Sequence, residues 1–285
     1  MVRTWFITGA SSGFGRALAE VALERGDCIA IGARRTEAVE QLAANNPERT
    51  LALSLDVTNA GSREKAVSAT LKRFGRINVL ANIAGRGSLG AAEEFTPEQL
   101  RDQMEVNFFA AAEMTRAVLP VMRSQGQGHI LQLTSIGGLA AFQGFGPYCA
   151  SKFALEGWSE ALREEVKPLG IKVTIVEPGA FRTEFAGSKN MRPEERIDAY
   201  RATIAPVEAY LYGSDGKQPG DPRKAAEAMI AAVESAEPPL RLLLGSDAIA
   251  LWEKKQAALT AELDRWRQVG EQTAFEGVAV GAVGG

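Results

Sequence analysis

The chain has 285 residues, of which 46% are hydrophobic and 24% charged, and its formal net charge is −3. This composition is ordinary for a globular protein with one large core, and it lacks the basic excess of a nucleic-acid-binding protein. Two cysteines, Cys28 and Cys149, are too few for a disulfide framework, and one histidine, His129, leaves little scope for a metal site. No apolar run approaches the length of a membrane span or a signal-peptide core, so we predict a cytoplasmic protein without membrane or nucleic-acid partners.

Short apolar runs without polar alternation recur along the chain, as is typical of strands buried on both faces. They are Trp5–Thr8, Cys28–Gly32, Thr50–Leu55, Asn78–Ala81, Ile130–Leu133, Lys172–Val176 and Leu240–Leu244. Helical apolar spacing lies between several of them, at Gly13–Arg25, Pro97–Met122, Tyr148–Lys167 and Pro222–Glu234. The alternation predicts an α/β fold with a doubly wound parallel sheet, Rossmann-like and of about seven strands, flanked by helices on both faces.

The predicted domain organisation is a single domain over residues 1–250, followed by a C-terminal extension. Between Thr183 and Pro222 the pattern breaks down into Gly, Pro, Arg and Glu, so we expect short helical pieces and a substrate lid at about 184–220. For residues 251–285 we expect a helix and a flexible tail from Gly277. The helix prediction depends on apolar residues at helical spacing, namely Leu251, Trp252, Leu259, Leu263 and Trp266.

A glycine-rich turn follows the first predicted strand and precedes a helix. It contains Gly9, Ser11, Ser12, Gly13, Phe14 and Gly15. Glycines at a strand-to-helix turn let backbone N–H groups approach a pyrophosphate, and the helix N-terminus favours the anion. The turn therefore predicts dinucleotide binding, and a simple turn without a ligand is the alternative.

Two arginines end the second predicted strand, where an acidic residue would bind the ribose 2′-hydroxyl of NAD. Because a guanidinium group matches phosphate oxygens, Arg34 and, secondarily, Arg35 predict NADP(H) as the cofactor. Two solvated surface arginines are the alternative. Asp56 and Val57 follow the third strand and are predicted to contact the adenine, although Asp56 could instead cap the next helix.

The segment Tyr148-Cys149-Ala150-Ser151-Lys152 places a phenol and an ammonium one helical turn apart, about 6 Å along the axis. A nearby ammonium stabilises a tyrosinate, so we expect the pKa of Tyr148 to be lowered and Tyr148 to act as a general acid and base. Ser135 closes the fifth strand at the same end of the sheet. We interpret Cys149 as a helix-packing residue and His129 as a structural or surface residue.

These residues together resemble the compact branch of the short-chain dehydrogenases/reductases. The matching motifs are the glycine turn from Thr8 to Gly15, Asn82-x-Ala84-Gly85, Asn107 in Glu-Val-Asn, Ser135, Tyr148-x-x-x-Lys152, and the segment from Pro178 to Thr183. The resemblance covers about residues 1–250. One departure is Ile83, where the family usually has a second Asn.

The resemblance implies a reaction and a set of roles. Hydride passes between the nicotinamide and a carbonyl or alcohol carbon, while Tyr148 exchanges a proton with the substrate oxygen. Lys152 holds the nicotinamide ribose and tunes Tyr148, Ser135 hydrogen-bonds the substrate oxygen, and Asn107 supports Lys152 through a water. The implied cofactor contacts also include Asn82, Ala84, Gly85, Pro178, Gly179 and Thr183.

The substrate and the assembly are open from the sequence. Phe142, Phe145, Phe185, Met191, Tyr210 and Tyr212 could line an apolar pocket under the lid, which favours a mid-sized hydrophobic ketone or secondary alcohol. Core packing is the alternative for each aromatic. Family behaviour implies a homodimer or homotetramer. A sensor or scaffold that binds NADP without turnover is the alternative function, and a methyltransferase of similar layering would leave Arg34, Tyr148 and Lys152 unexplained.

Overall fold

The computed structural model describes residues 2–187, 190–278 and 281. Its seven strands form one parallel sheet in the order β3-β2-β1-β4-β5-β6-β7, which confirms the predicted fold class. The strands are β1 Thr4–Thr8, β2 Cys28–Ala33, β3 Thr50–Ser54, β4 Val79–Asn82, β5 Gly128–Leu133, β6 Ile171–Pro178 and β7 Arg241–Leu244. Each coincides with a predicted apolar run to within a few residues.

Helices cover both faces of this sheet. The α-helices in the described residues are α1 Gly13–Glu24, α2 Glu37–Asn45, α3 Ala60–Phe74, α4 Pro97–Met104, α5 Ala110–Gln125, α6 Gly146–Val166, α7 Arg201–Gly213, α8 Pro222–Glu234 and α9 Ser246–Glu271. In β1, Trp5 and Ile7 face the core under α1 and α8, while Phe6 faces the opposite core under α5 and α6. Both faces of the strand are buried, which explains why its sequence is apolar without alternation.

The order of the strands determines where a ligand can bind. From β1 the chain moves to β2 and β3 on one side, and then returns to β4 on the other side of β1. In an open parallel sheet such a reversal leaves a crevice at the carboxyl ends of the two strands. The glycine turn after β1 and the Ile83–Gly85 segment after β4 lie at this crevice.

The predicted helix over Pro97–Met122 is present, but it is not uniform. Residues Glu105–Phe109 form a π-helical turn between α4 and α5, and Asn107 lies within it. An extra residue in a helical turn rotates the side chains that follow, and such turns are frequent at functional sites. The apolar spacing alone did not reveal this interruption.

The lid is more ordered than the sequence predicted. Besides the expected short pieces, the 3-10 turns Glu184–Ala186 and Asp198–Tyr200, it contains α7, a helix of 13 residues with Pro206 inside it. Ile204 is 5% exposed and packs near Gly144 together with Val207. Tertiary packing of this apolar face therefore offsets the cost of the internal proline.

The predicted C-terminal helix is α9. Its first turns pack against the domain, where Ala248, Leu251 and Trp252 contact Ile136 and Leu139. From residue 256 onward every described residue is exposed. The predicted flexible tail over 277–285 lies mostly outside the described residues. No helix in the described part of the chain is long and apolar enough to cross a membrane.

Candidate active site

A cleft of about 1220 Å³ runs along the carboxyl ends of the strands. One end is lined by Arg34 and Arg35 after β2, and the other by Tyr210 and Leu211 of α7. Between them the lining includes most of the residues that the sequence singled out: Gly9, Ser11, Ser12, Gly13, Phe14, Asp56, Val57, Ala84, Gly85, Ser135, Tyr148, Lys152, Pro178, Gly179 and Thr183. The tertiary structure thus brings together motifs from six strand ends.

The glycine turn is shaped by close backbone approach. Gly9 has a φ of +68°, and a Cβ atom there would lie 2.8 Å from the Cα atom of Ala84. A Cβ atom at Gly15 would lie 2.4 Å from the carbonyl oxygen of Gly9. Only glycine fits at both positions. Ser12 makes no side-chain cap to α1, since its hydroxyl donates to Glu184 at 3.3 Å, so the first turn of α1 can accept an anion from the cleft.

Gly15 and Asn82, both predicted to contact the cofactor, do not line the cleft. Gly15 is buried against the glycine turn itself. Asn82 is 3% exposed, and its amide nitrogen donates to the Ala111 carbonyl, Thr115 Oγ1 and Gln132 Oε1. The Asn82 side chain therefore ties β4 to α5 and β5 behind the cleft, and the contact of Asn82 with the cofactor stays a prediction.

The departure at Ile83 has a local explanation. The Thr8 hydroxyl accepts hydrogen bonds from the backbone N–H groups of Ile83 and Ala84, at 3.0 and 3.1 Å. The Ile83 side chain is buried in the core that contains Trp5 and Ile7. Backbone bonds to Thr8 thus hold the β4 end without a second Asn side chain.

The arginine end of the cleft contains a third guanidinium that sequence reasoning missed. Arg34 and Arg35 are exposed, whereas Arg86 is half-buried and paired with Asp102. Burial and then the charge of Arg34 lower the pKa of Arg86, so the two cations face the same region. Such a concentration of positive charge favours an anionic ligand.

Asp56 does not cap the next helix, because the N-cap of α3 is Asn59, and the contact of Asp56 with the adenine stays a prediction. Asp56 lines the cleft, and its Oδ1 atom accepts hydrogen bonds from the Thr58 hydroxyl and backbone N–H, at 2.7 and 3.0 Å. These bonds, more than the nearby Arg34, hold the pKa of Asp56 below its usual value. Asp56 therefore also orders the turn that leads into α3.

Tyr148 lies between β5 and the lid, 8% exposed, with its ring packed against Phe145 and Phe185 at centroid distances of 6.3 and 5.2 Å. Its hydroxyl is hydrogen-bonded to Ser135, whose Oγ atom also accepts from the Gly137 N–H at 3.0 Å. The Lys152 Nζ atom lies 5.9 Å from the Tyr148 ring centre and donates to the Leu133 carbonyl at 2.8 Å. Tyr148, Ser135 and Lys152 thus form one cluster.

The expected direction of the Tyr148 pKa is wrong. Burial raises the pKa of Tyr148 above its ordinary value, and the hydrogen bond from Ser135 only partly opposes this effect. Burial also lowers the pKa of Lys152 to about 8, while the charge of Glu156 opposes that shift. Sequence spacing placed the ammonium correctly, but it could not show how completely both groups are removed from water.

Asn107 does not line the cleft. Its side chain bonds the backbone of Arg86 in both directions, at 2.9 Å each, and donates to Ser151 Oγ at 3.0 Å. Even so, it lies near Lys152, because a methyl group at Gly85 would lie 3.2 Å from Asn107 Oδ1 and 3.6 Å from Lys152 Nζ. Its predicted link to Lys152 through a water stays a prediction.

The aromatic pocket forms in part. Phe142, Phe145, Phe185 and Tyr210 line the cleft as expected. Met191 and Tyr212 do not. Met191 exchanges backbone hydrogen bonds with Gly87 and Leu89, and the Tyr212 ring stacks on Arg192, with the guanidinium 4.3 Å from the ring centre. Met191 therefore holds the lid to the segment after β4 through its backbone, whereas Tyr212 packs against another lid residue.

Asp247 is a second site residue that the sequence did not reveal. Its Oδ2 atom accepts from the Ala180 N–H at 2.7 Å, and a Cβ atom at Gly179 would lie 2.3 Å from it. The start of α9 therefore braces the Pro178–Thr183 segment from behind. In the sequence, Asp247 is visible only as an acidic residue in the first turn of a predicted helix, and nothing there indicates which segment it contacts.

The model of the family described as short chain dehydrogenase matches residues 3–194. An oxidoreductase of Botryotinia fuckeliana is 37% identical over 270 residues, covering 94% of this chain and 98% of the relative. A 3-ketodihydrosphingosine reductase of Bacteroides thetaiotaomicron is 37% identical over 260 residues, covering 89% and 91%. This chain belongs to the short-chain dehydrogenase/reductase family of oxidoreductases.

Solved structures support the same assignment. A short-chain dehydrogenase from Streptomyces avermitilis superposes with a TM-score of 0.89 at 44% identity, covering 96% of this chain and 98% of the other. A short-chain dehydrogenase from Burkholderia cenocepacia in complex with NADP has a TM-score of 0.72 at 27% identity, covering 93% and 97%. A 3-ketoacyl-(acyl-carrier-protein) reductase from Brucella melitensis complexed with NADH has a TM-score of 0.71 at 26%, covering 85% and 96%. Similar structures therefore bind either nicotinamide dinucleotide.

Proposed function

We propose that this oxidoreductase uses NADP(H) to interconvert a ketone or aldehyde and an alcohol, with Tyr148 as the general acid and base. The observation that carries the proposal is that a single cleft joins Arg34 and the glycine turn at one end to Tyr148, Ser135 and Lys152 at the other. Neither end by itself specifies this reaction. A cationic end could bind many anions, and a buried tyrosine is common in protein cores.

The cleft fits a dinucleotide. Gly9 and Gly13 leave the glycine turn without side chains toward the cleft, at φ values of +68° and +53°. The residues that would hold the pyrophosphate are Ser11, Ser12, Gly13 and Phe14; Asp56 and Val57 would contact the adenine, and Pro178, Gly179 and Thr183 the nicotinamide end. Arg34, with Arg35, would hold the 2′-phosphate. NADP(H), when bound, supplies or accepts the hydride.

The chain's own groups handle the proton. In the reductive direction the Tyr148 hydroxyl donates its proton to the carbonyl oxygen, and Ser135 donates a hydrogen bond to the same oxygen. Burial raises the pKa of Tyr148 and so keeps its hydroxyl protonated at neutral pH. A protonated phenol can donate its proton to a carbonyl oxygen, whereas a base that accepts a proton from an alcohol would have to be ionised first. We therefore favour the carbonyl reductase direction.

We propose a mid-sized hydrophobic ketone or secondary alcohol as the substrate. Phe142, Phe145, Phe185 and Tyr210 give the lid half of the cleft an aromatic lining beside the Tyr148 hydroxyl. The Bacteroides relative is named for a 3-ketodihydrosphingosine, which is compatible with an apolar lining. A screen in which only small polar sugars are reduced would contradict this substrate class.

A homodimer or homotetramer stays a proposal from the family, and light scattering would decide it. The alternative function is a sensor or scaffold that binds NADP without turnover. The side chains of Tyr148, Ser135 and Lys152 are all present and clustered, and such a cluster has no purpose in a protein that only binds.

The decisive experiment replaces Tyr148 with Phe and measures NADPH oxidation against a panel of aromatic and aliphatic ketones. Removing a general acid costs about 10²- to 10⁴-fold in rate. We expect Tyr148→Phe to lose at least about 100-fold in kcat/KM while it still binds NADPH, as followed by fluorescence.

The matched control is Tyr200→Phe. Tyr200 lies outside the cleft lining, and its hydroxyl donates to Glu93 at 2.6 Å. It should retain turnover. Wild-type rates in Tyr148→Phe would refute the proposed chemistry, and NADPH binding without turnover of any ketone or alcohol by the wild type would favour the sensor.

A further inference from the structure

Two carboxyl groups lie buried together beneath the cleft. Glu156 of α6 is 4% exposed, Glu177 at the end of β6 is fully buried, and both carboxyl groups contact the same Nη1 atom of Arg241. Their other oxygens, Oε1 of Glu156 and Oε2 of Glu177, are buried without a hydrogen-bond partner among the described residues, and a proton held between the two carboxyl groups would satisfy both. Two ionised carboxylates at this separation, away from water, would repel strongly.

Charged and polar groups face this pair from every element packed against it. Arg241 of β7 donates to Glu156 Oε2 at 2.5 Å, to Glu177 and to the exposed Glu160 of α6. Thr134, directly after β5, lies beside Glu156, and its hydroxyl donates to the Val176 carbonyl at 3.1 Å. Lys152 lies one helical turn before Glu156 on α6. With one proton in the pair, the negative charge of one carboxylate balances the positive charge of Arg241. The free-energy cost of burying the three groups together is then small.

Burial raises the pKa of both carboxyl groups. The pKa of Glu177 rises to about 8 because the charge of Glu156 adds to the effect of burial, which favours Glu177 as the protonated member at neutral pH. Glu156 accepts a hydrogen bond from Arg241, which stabilises its ionised form. This arrangement favours a negative charge on Glu156, which lies one helical turn from Lys152 on α6.

The pair touches the active site at three points. Glu156 shares the helical face of Lys152, Thr134 directly precedes Ser135, and Glu177 directly precedes Pro178. Lys152 is itself 4% exposed, and its Nζ atom donates to a neutral partner, the Leu133 carbonyl. A buried ammonium with a neutral partner needs a negative charge nearby to stay protonated.

We propose that Glu156 is the counter-charge that keeps Lys152 an ammonium in the cleft, and that Glu177 holds the proton that the two carboxyl groups cannot both release. Glu156 is a positioning residue, since it acts through Lys152 and lines no part of the cleft. The inference gains its catalytic meaning from the proposed function, but the charge arrangement itself does not depend on it.

The test is an NMR titration of Lys152 in the full chain labelled with ¹³C and ¹⁵N at lysine, without cofactor or substrate. The Lys152 resonance is assigned by its loss in Lys152→Met. In Glu156→Gln we expect the Lys152 pKa to fall by about one pH unit, because the variant removes a buried negative charge one helical turn from the ammonium.

Two matched variants separate charge from packing. Glu177→Gln should leave the Lys152 pKa within about 0.3 units of wild type, because the amide donates to Glu156 in place of the shared proton. Glu160→Gln removes a carboxylate that also accepts from Arg241, but one that is exposed, and it should likewise have little effect. An unchanged Lys152 pKa in Glu156→Gln, or equal shifts in all three variants, would overturn the proposal.

A second measurement covers the case in which Glu156→Gln does not fold. At pH 7 the wild type should show the infrared carbonyl band of a buried protonated carboxylic acid, and Glu177→Gln should lack it. The absence of that band in wild type would overturn the shared proton. Neither measurement depends on turnover. A failure of the proposed function can therefore be distinguished from a failure of the proposed charge arrangement.

Discussion

At the scale of single residues, the active-site cluster is defined by burial as much as by proximity. Tyr148 and Lys152 lie one helical turn apart, yet burial raises the pKa of Tyr148 and lowers the pKa of Lys152. Both shifts favour the neutral form of the side chain. At neutral pH the Tyr148 phenol therefore holds its proton and can donate it, and it lies beside a Lys152 ammonium that is close to its own pKa. The same desolvation strengthens the hydrogen bond of Ser135 to whatever oxygen enters the cleft.

Arg34 carries the prediction of cofactor choice. We expect Arg34→Asp to weaken binding of adenosine 2′,5′-bisphosphate by about 10- to 150-fold, because a hydrogen bond to a charged group is worth about 1.5–3 kcal/mol. Binding of 5′-AMP, which lacks the 2′-phosphate, should change much less. Isothermal titration calorimetry with both nucleotides gives the two values.

The control for Arg34→Asp is Arg265→Asp, which makes the same charge change at an exposed position of α9 outside the cleft. It should leave both affinities unaltered. If Arg34→Asp keeps its preference for the 2′-phosphate, then Arg35 or Arg86 makes the discriminating contact and the assignment to Arg34 is wrong.

At the scale of elements, α9 has two parts with different roles. Its first turns hold Asp247 against Gly179 and pack Trp252 on the Ile136–Leu139 segment that follows Ser135. Its later turns expose Leu259, Leu263 and Trp266, at 47%, 56% and 63%. The same helix thus supports two segments of the cleft at one end and is exposed at the other.

Two tryptophans of α9 therefore make a matched pair. We expect Trp252→Ala to lower the free energy of unfolding by about 1–3 kcal/mol, because it removes a half-buried side chain from a packed cluster. Trp266→Ala should change it by less than about 0.5 kcal/mol, since that side chain is exposed. Urea denaturation of both variants measures the difference, and equal losses would show that the later turns of α9 are packed in solution.

At the scale of the whole molecule, the pH dependence of stability has a contribution from His129. It is 4% exposed, and its Nε2 atom is hydrogen-bonded to Thr174 Oγ1 at 2.9 Å. Burial, followed by the charges of Lys172 and Arg3, lowers the pKa of His129 to about 3. Of the two sequence-based interpretations of His129, a structural or a surface residue, this buried position in β5 agrees with the first.

The sign of the effect follows from the direction of that shift. The folded chain keeps His129 neutral, whereas the unfolded chain takes up a proton below its ordinary pKa of about 6.5. Stability is therefore lost as the pH falls from about 6.5 toward 3, by at most about 1.4 kcal/mol per pH unit. We expect the wild type to lose roughly 2 kcal/mol more than His129→Gln between pH 6 and pH 4, measured by denaturant unfolding. Parallel loss in both proteins would mean that His129 takes up a proton in the folded state.

The sequence by itself determined the strands of the sheet and most of the residues proposed to line the cleft. Seven short apolar runs, several without polar alternation, are typical of buried strands. The glycines after the first run, and Tyr148 and Lys152 four residues apart on a helix, are also local patterns. Local patterns are visible in sequence because they depend on neighbours within one turn or one strand. For the same reason the family could be recognised from six short motifs.

Only the tertiary structure decided which of those residues face the cleft and which protonation state their side chains favour. Asn82 turned inward to bind α5 and β5, a π-helical turn oriented Asn107, and Asp247 reached Gly179 from 68 residues further along the chain. Desolvation reversed the expected pKa shift of Tyr148, and packing joined Glu156 to Glu177. Burial and contacts across the sheet are sums over residues distant in the chain, so no local pattern contains them.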